Sequence, residues 1–165
     1  MWNEQLLIDA GCSPGVVAHC RTVSVVASEI AGRVRSVPVD LELVRLGGLF
    51  HDIGRSQTHD IGHAIAGVEI GRSLGFSERL LLIIERHIGA GISPDEAVRL
   101  GLPRKSYLPV SPEEKIVSYA DNLTKSDRPM TFSDAVERFR AILGPGHEGI
   151  RLFIEQHNEI QGWLK

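Results

Sequence analysis

The stretch Asp40-Leu41-Glu42-Leu43-Val44-Arg45-Leu46-Gly47-Gly48-Leu49-Phe50-His51-Asp52-Ile53-Gly54 decides the fold. Leu41, Leu43, Val44, Leu46 and Leu49 predict a buried helix over about 40–54, with the apolar spacing of a helix rather than of a strand. That helix closes on His51-Asp52, which packing does not account for. A histidine suits the negative C-terminal end of a helix, but an aspartate there is opposed by the helix dipole.

Outward from this stretch the chain reads as helices throughout. A short helix over about 3–10 is ended by Gly11. Ser13-Pro14 opens a long one to about residue 35, with Ser as cap and Pro in the first turn. Val37-Pro38 breaks it before the helix at Asp40. Residues 55–60 are polar and loop-like. Helices follow over about 62–74, stopped by Gly75, and over about 77–87, capped by Ser77. Ser93-Pro94-Asp95-Glu96 and Ser111-Pro112-Glu113-Glu114 each have the form of a capping box. The first opens a short helix to about residue 100, and the second a helix to about residue 125. Residues 88–92 and 101–110 are expected as loops, and helices over about 131–143 and 147–163 complete the chain. Strand alternation is scarce, and no Asn-Gly or Asp-Gly hairpin signal occurs. The expected architecture is all-α, a single-domain helical bundle over residues 1–165.

Composition narrows the function classes. The 165 residues suffice for one domain with a real core, and 42% are hydrophobic, which excludes a disordered chain. Aromatics are only 5%, so the core is aliphatic. A net charge of −3, from 18 basic and 21 acidic residues, predicts no large nucleic-acid footprint. Cys12 and Cys20 lack metal-knuckle spacing and read as reduced thiols. Neither a secretory signal nor a membrane span is expected, so cytoplasmic residence is the default.

His19, His63, His87 and Asp121 flank His51-Asp52 on helices expected to share one core. Each has a bland explanation by itself; together they can supply a nitrogen- and oxygen-lined metal site. Imidazole and carboxylate suit Mn, Fe, Co, Ni or Zn, and no thiol is placed to select a soft metal. Neighbours on a helix point about 100° apart, so His51 and Asp52 can occupy adjacent corners of one coordination sphere. Asp52, with two oxygens, can bridge two ions, the second served by His63 and His87. Two metals about 3.5–4 Å apart activate water and neutralise phosphoryl oxygens together. The chemistry indicated is metal-assisted hydrolysis of a phosphate ester or anhydride.

The order His19, His51-Asp52, Asp121 resembles the HD superfamily of metal-dependent phosphohydrolases, and His51-Asp52-Ile53-Gly54 is similar to its His-Asp-Ile-Gly branch. The resemblance covers roughly residues 14–140 and implies an all-helical fold with the metal site inside the bundle. His63-Ala64-x-x-Gly67 and His87-x-Gly89 resemble the second-metal ligands of binuclear members. These include symmetrical diadenosine-tetraphosphate hydrolases, whose segment before the last Asp is similar to 114–121 here. Leu123-Thr124-Lys125-Ser126-Asp127-Arg128-Pro129 looks like the stretch that follows the last Asp in cyclic-dinucleotide phosphodiesterases of the superfamily. This chain departs from those enzymes: Ile88-Gly89 stands where they carry His-Glu, and their Gly-Tyr-Pro element is absent.

The resulting assignment places His19, His51, Asp52 and Asp121 on one divalent ion, and His63 and His87, with Asp52 bridging, on a second. Mg is allowed besides the transition metals. Arg55, Lys125 and Arg128 are the candidates for phosphate contacts, with Asp52, His63, His87, Arg55 and Lys125 as the catalytic set. The expected substrate is a small phosphorylated molecule, a nucleotide or dinucleotide. A mononuclear nucleotidase and a non-catalytic metal- or nucleotide-binding regulatory module are the alternatives, and a homo-oligomer is compatible with either. His59 and Asp60 read more readily as solvated loop residues than as substrate contacts. Glu69 is expected to be structural or exposed, and Gly67 and Gly71 to allow close helix packing. His147 and His157 lie beyond the motif and are expected at the surface.

Overall fold

The computed structural model describes residues 2–165. Its helices are α1 (Gln5–Asp9), α2 (Pro14–Arg33), α3 (Leu41–Phe50), α4 (His63–Ser73), α5 (Glu78–Glu85), α6 (Pro94–Arg99), α7 (Pro112–Asn122), α8 (Phe132–Leu143) and α9 (Glu148–Trp163). A 3₁₀ turn, Ile53–Ser56, follows α3. Among the described residues no helix is long and apolar enough to cross a membrane. The all-α expectation holds.

Local chemistry sets most helix starts. The side chains of Ser13, Asp40, Ser77, Ser93, Ser111 and Thr131 each accept a backbone N–H three residues on. This satisfies donors that the first turn leaves without a helical partner. Ser111 forms the full capping box: its hydroxyl accepts from Glu114 N at 3.1 Å, and the Glu114 carboxylate accepts from Ser111 N at 3.1 Å. At Ser93 only the Ser half of the expected box forms. Ser111→Ala is expected to lower stability by about 1 kcal/mol. Urea unfolding should show a lower midpoint with unchanged slope; an unmoved midpoint would rule this out.

The long α2 lies along α3 and α7, and α3 also packs on α5. Close approach is built in at Gly48, where a β-carbon would stand 2.6 Å from the Ser24 Cα. The Ser24 hydroxyl donates to the Arg45 carbonyl at 2.9 Å across the same seam. Gly67 and Gly71 sit against Ile84 and Leu81, as expected for packing positions. One apolar cluster runs from Leu7 to Ile160 through Val23, Phe50, Ile116 and Phe153. A smaller one, Ile92, Ala97 and Tyr107, holds the two loops on either side of α6 together by an Ile92–Tyr107 bridge.

Three expectations need correction. The helix expected to reach residue 125 ends at Asn122, and a short antiparallel hairpin follows. In it Thr124 pairs with Pro129 and Lys125 with Arg128, around a turn in which Ser126 has φ +55°. A serine rarely takes that left-handed conformation, so no residue there announces the turn. The α3 helix stops at Phe50, and Asp52 already has φ −103°, ψ 14°. His51 therefore caps the helix and Asp52 lies beyond it, instead of both lying within it. His147 and His157 are half-buried rather than exposed. His147 caps α9 by accepting from Gly149 N at 2.9 Å, and the His157 ring stacks on Phe132 at 3.6 Å between centroids.

Candidate metal centre

Helix ends gather the site. His51 is the C-cap of α3, and Asp52 opens the 3₁₀ turn. His63 is the first residue of α4, His87 lies two residues beyond α5, and Asp121 is in the last turn of α7. His19 alone comes from a helix interior, the second turn of α2. The structure brings all six together in overlapping groups: His19, His51 and Asp52; His51, His87 and Asp121; and Asp52, His63 and His87. Within each group the ligand atoms lie within 4.8 Å of one another.

Asp52 is the hinge of this arrangement. Its Oδ2 lies 3.5 Å from His51 Nε2 and 3.7 Å from His19 Nε2. Its Oδ1 lies 3.2 Å from both His63 Nε2 and His87 Nε2. One oxygen thus faces one imidazole pair and the other faces the second. Asp121 Oδ1 closes the first side, 2.8 Å from His19 Nε2 and 3.2 Å from His51 Nε2.

The imidazole tautomers follow from their outer partners. His51 Nδ1 meets the Gly48 carbonyl, His63 Nδ1 the Asp60 carbonyl and His87 Nδ1 the Ile84 carbonyl, each at 2.7 Å. His19 Nδ1 meets the Ser126 carbonyl at 2.5 Å. A carbonyl only accepts, so every Nδ1 carries a proton, and each ring presents its lone pair at Nε2 when neutral. Those Nε2 atoms face carboxylate oxygens, and His63 Nε2 faces His87 Nε2 at 3.1 Å. Buried His51 Nε2 and Asp52 Oδ1 have no hydrogen-bond partner. Buried polar atoms are almost always paired, and a set of converging lone pairs is stabilised by a cation. The donor set therefore fits a divalent metal, with imidazole and carboxylate oxygen as its ligand types.

The electrostatics agree. Burial opposes a charge on His51, but the Asp52 and Asp121 carboxylates outweigh it and push the imidazole up to about 9. Burial likewise opposes ionised Asp52 and Asp121, yet His51 and the surrounding imidazoles hold both carboxyls below the usual range. His87 moves the other way, lowered chiefly by its burial. Without a metal the pull of the two carboxylates is met by a proton on His51, whose Nε2 offers its lone pair only when a cation takes the proton's place; burial disfavours a charge on His87.

A cavity of about 260 Å³ opens onto Asp52, lined by Gly15, Val16, His19, Arg55 and His59. Arg55 Nε donates to Asp52 Oδ2 at 3.0 Å, and its Nη1 donates to the His59 carbonyl at 3.2 Å. The structure does not set Lys125 and Arg128 at this mouth. Both are exposed on the hairpin and line a neighbouring cavity of about 550 Å³ with Met130 and Arg138. Ser126, between them in sequence, ties the hairpin to His19. Glu69 is exposed.

Sequence reasoning missed the four carbonyls that set the tautomers. Three of them lie three residues before their histidine, and no side-chain pattern marks a carbonyl. Asp60 reads in the sequence as a solvated loop residue, but its carboxylate accepts from Gly62 N at 2.7 Å, shaping the turn that delivers His63. His59, though exposed, lies at the mouth.

Known proteins match in three ways. The HD domain family pattern matches residues 16–126. A protein of Methanocaldococcus jannaschii is 51% identical over 156 residues, spanning 93% of this chain and 92% of its own. A tRNA (cytidine(56)-2'-O)-methyltransferase of Picrophilus torridus is 44% identical over 124 residues, 75% of this chain but only 36% of that protein. The HD domain of the Listeria monocytogenes phosphodiesterase PgpH superposes with a TM-score of 0.60 at 16% identity, covering 98% of this chain and 99% of that one. The same domain has also been solved in complex with cyclic-di-AMP.

Proposed function

The chain belongs to the HD-domain family, and from that premise we propose that it is a metal-dependent phosphohydrolase acting on a small phosphate ester or anhydride of a nucleotide or dinucleotide. The observation that carries the proposal is the convergence of four imidazole Nε2 atoms on the two oxygens of Asp52. His19, His51, Asp52 and Asp121 would hold one ion, and His63, His87 and Asp52 a second. The division of Asp52 between two imidazole pairs favours this binuclear arrangement over a mononuclear nucleotidase. When bound, divalent ions supply an acidified water and neutralise developing charge on phosphoryl oxygens.

The chain's own residues prepare the rest. The backbone carbonyls hold each imidazole in the tautomer that leaves Nε2 free. Burial of His51, His63 and His87 keeps bulk water from the inner wall and strengthens the field there. Arg55 is the cation at the mouth; swinging from Asp52 Oδ2 to an incoming phosphoryl oxygen, it would bind and orient the substrate through charge-assisted hydrogen bonds. Lys125 and Arg128 would serve a more distant phosphate, which suits a dinucleotide better than a monoester. The modest mouth suits a small substrate rather than a long nucleic acid. The methyltransferase name of the Picrophilus relative belongs to a protein of which this chain spans about a third. Buried free Cys12 and Cys20 fit a reducing cytoplasm.

The test is product release from phosphomonoesters, cyclic nucleotides and dinucleoside polyphosphates, with Mn, Ni, Co, Fe(II) and Mg supplied in turn. Turnover of one class, dependent on added metal and lost to chelator, is expected. Silence across all classes in a chain shown to be metal-loaded would replace the enzyme with a binding module.

A further inference from the structure

Beside Asp121, α7 carries two buried polar side chains that do not face the metal centre, Ser118 and Asn122. The Ser118 hydroxyl donates to the Gly89 carbonyl at 2.8 Å, and Asn122 Nδ2 donates to the same carbonyl at 3.0 Å. Gln156 of α9, itself buried, completes the circuit. Its Nε2 donates to Ser118 Oγ at 3.0 Å, and its Oε1 accepts from Asn122 Nδ2 at 3.4 Å.

The protons leave one consistent arrangement. Ser118 has a single hydroxyl proton, spent on Gly89, so its oxygen must accept from outside. Asn122 spends one amide proton on Gly89 and has one left. Only a side chain with a donor and an acceptor at the same tip serves both, and a glutamine amide is that group. The result is a closed ring, Gln156, Ser118, Gly89 and Asn122, inside the protein, where a polar group left without a partner is costly.

The ring grips the chain at a sensitive place. Gly89 lies two residues past His87, in a left-handed conformation (φ +55°), and Gly91 also has a positive φ. The same ring holds Asn122, the residue after Asp121. We propose that Gln156 is a positioning residue for the metal centre: through Ser118, Asn122 and the Gly89 carbonyl it fixes the His87 turn against α7. Gln156 belongs to a helix outside the matched residues 16–126, and it touches neither substrate nor ion. The inference rests on the metal-centre reading above. His87 is the ligand most affected, because Asp121 is already held by α7 itself.

The test is calorimetric titration of the full-length chain with Mn²⁺ alone, alongside thermal melts in chelator. Gln156→Met keeps length and apolar bulk but removes both polar ends. It is expected to weaken one Mn²⁺ site, the one that His87 serves, about 10–100-fold, the usual loss when a group that orients a ligand is removed. Ser118→Ala, a smaller excision, should weaken the same site and serves if Gln156→Met does not fold. Phe153→Leu, in the apolar core of α9, should lower the melting midpoint and leave Mn²⁺ affinity unchanged. Wild-type affinities in Gln156→Met and Ser118→Ala would overturn the inference and leave the centre standing. An equal loss in Phe153→Leu would overturn it too, since general loosening of α9 would then suffice. A wild-type chain that takes up no Mn²⁺ would overturn the centre, and the inference with it.

Discussion

Asp52→Ala is expected to strip the chain of bound metal and to lower turnover by at least about a thousandfold, equivalent to roughly 4 kcal/mol of transition-state stabilisation. Asp52 sets a different oxygen toward each half of the centre. Oδ2 serves the His19 and His51 side and Oδ1 the His63 and His87 side. Its removal takes the facing carboxylate oxygen from each imidazole pair. It also frees Arg55 from its 3.0 Å bond and places an uncompensated cation at the mouth, which further opposes a divalent ion. Metal content by atomic emission after dialysis and the rate on the substrate class found above should fall together. Asp52→Asn separates geometry from charge: it keeps the shape but offers one oxygen and no negative charge, so it should retain at most one weakly held ion. Full metal content with an unchanged rate in Asp52→Ala would remove Asp52, and the binuclear scheme with it, from the mechanism.

The side-chain part of this site was legible in the sequence, and the backbone part was not. His19, His51, Asp52, His63, His87 and Asp121 stood out because imidazoles and acids within or at the ends of apolar helices have no packing role. The helices were legible for a related reason: Ser-Pro caps at residues 13, 93 and 111 and the glycines at 11 and 75 act through local chemistry. Several features escaped. The end of α7 and the hairpin after it depend on Ser126 taking a glycine-like φ and on its carbonyl meeting His19 Nδ1, contacts spanning over a hundred residues of sequence. Arg55, Lys125 and Arg128 looked equivalent as cations; tertiary placement alone puts Arg55 at the mouth and the other two beside a separate cavity. Gln156 gave no signal, because a lone glutamine on an amphipathic helix is ordinarily a solvated residue.

Gly54→Ala is expected to be the most damaging conservative change outside the ligands. A β-carbon at this position would lie 1.8 Å from the His63 carbonyl oxygen, 2.5 Å from Gly67 N and 2.8 Å from the His63 carbonyl carbon. All three are backbone atoms of α4, so no side chain can rotate away; the 3₁₀ turn and the helix must separate. Conformational freedom is not the issue, since Gly54 is not among the glycines with positive φ. Gly75 is the contrasting case: φ is +83° and nothing lies within 4 Å of its would-be β-carbon. Gly75→Ala should cost only the left-handed penalty of about 1–2 kcal/mol. Gly54→Ala should cost about 4–5 kcal/mol, in the range reserved for core disruption. At about 2–4 °C per kcal/mol for a chain of this size, its melting midpoint should fall by roughly 10–15 °C. Because α4 begins at His63, the same displacement pulls that imidazole away from Asp52 Oδ1 and should weaken metal binding in whatever protein remains folded. A midpoint within about 3 °C of the parent would show that the turn and α4 can move apart freely, contrary to the crystal-like packing density of protein interiors. The four letters His-Asp-Ile-Gly then divide by physics: His51 and Asp52 carry the chemistry, Ile53 anchors the turn in the core at 0% exposure, and Gly54 lets α4 bring His63 close enough to share Asp52.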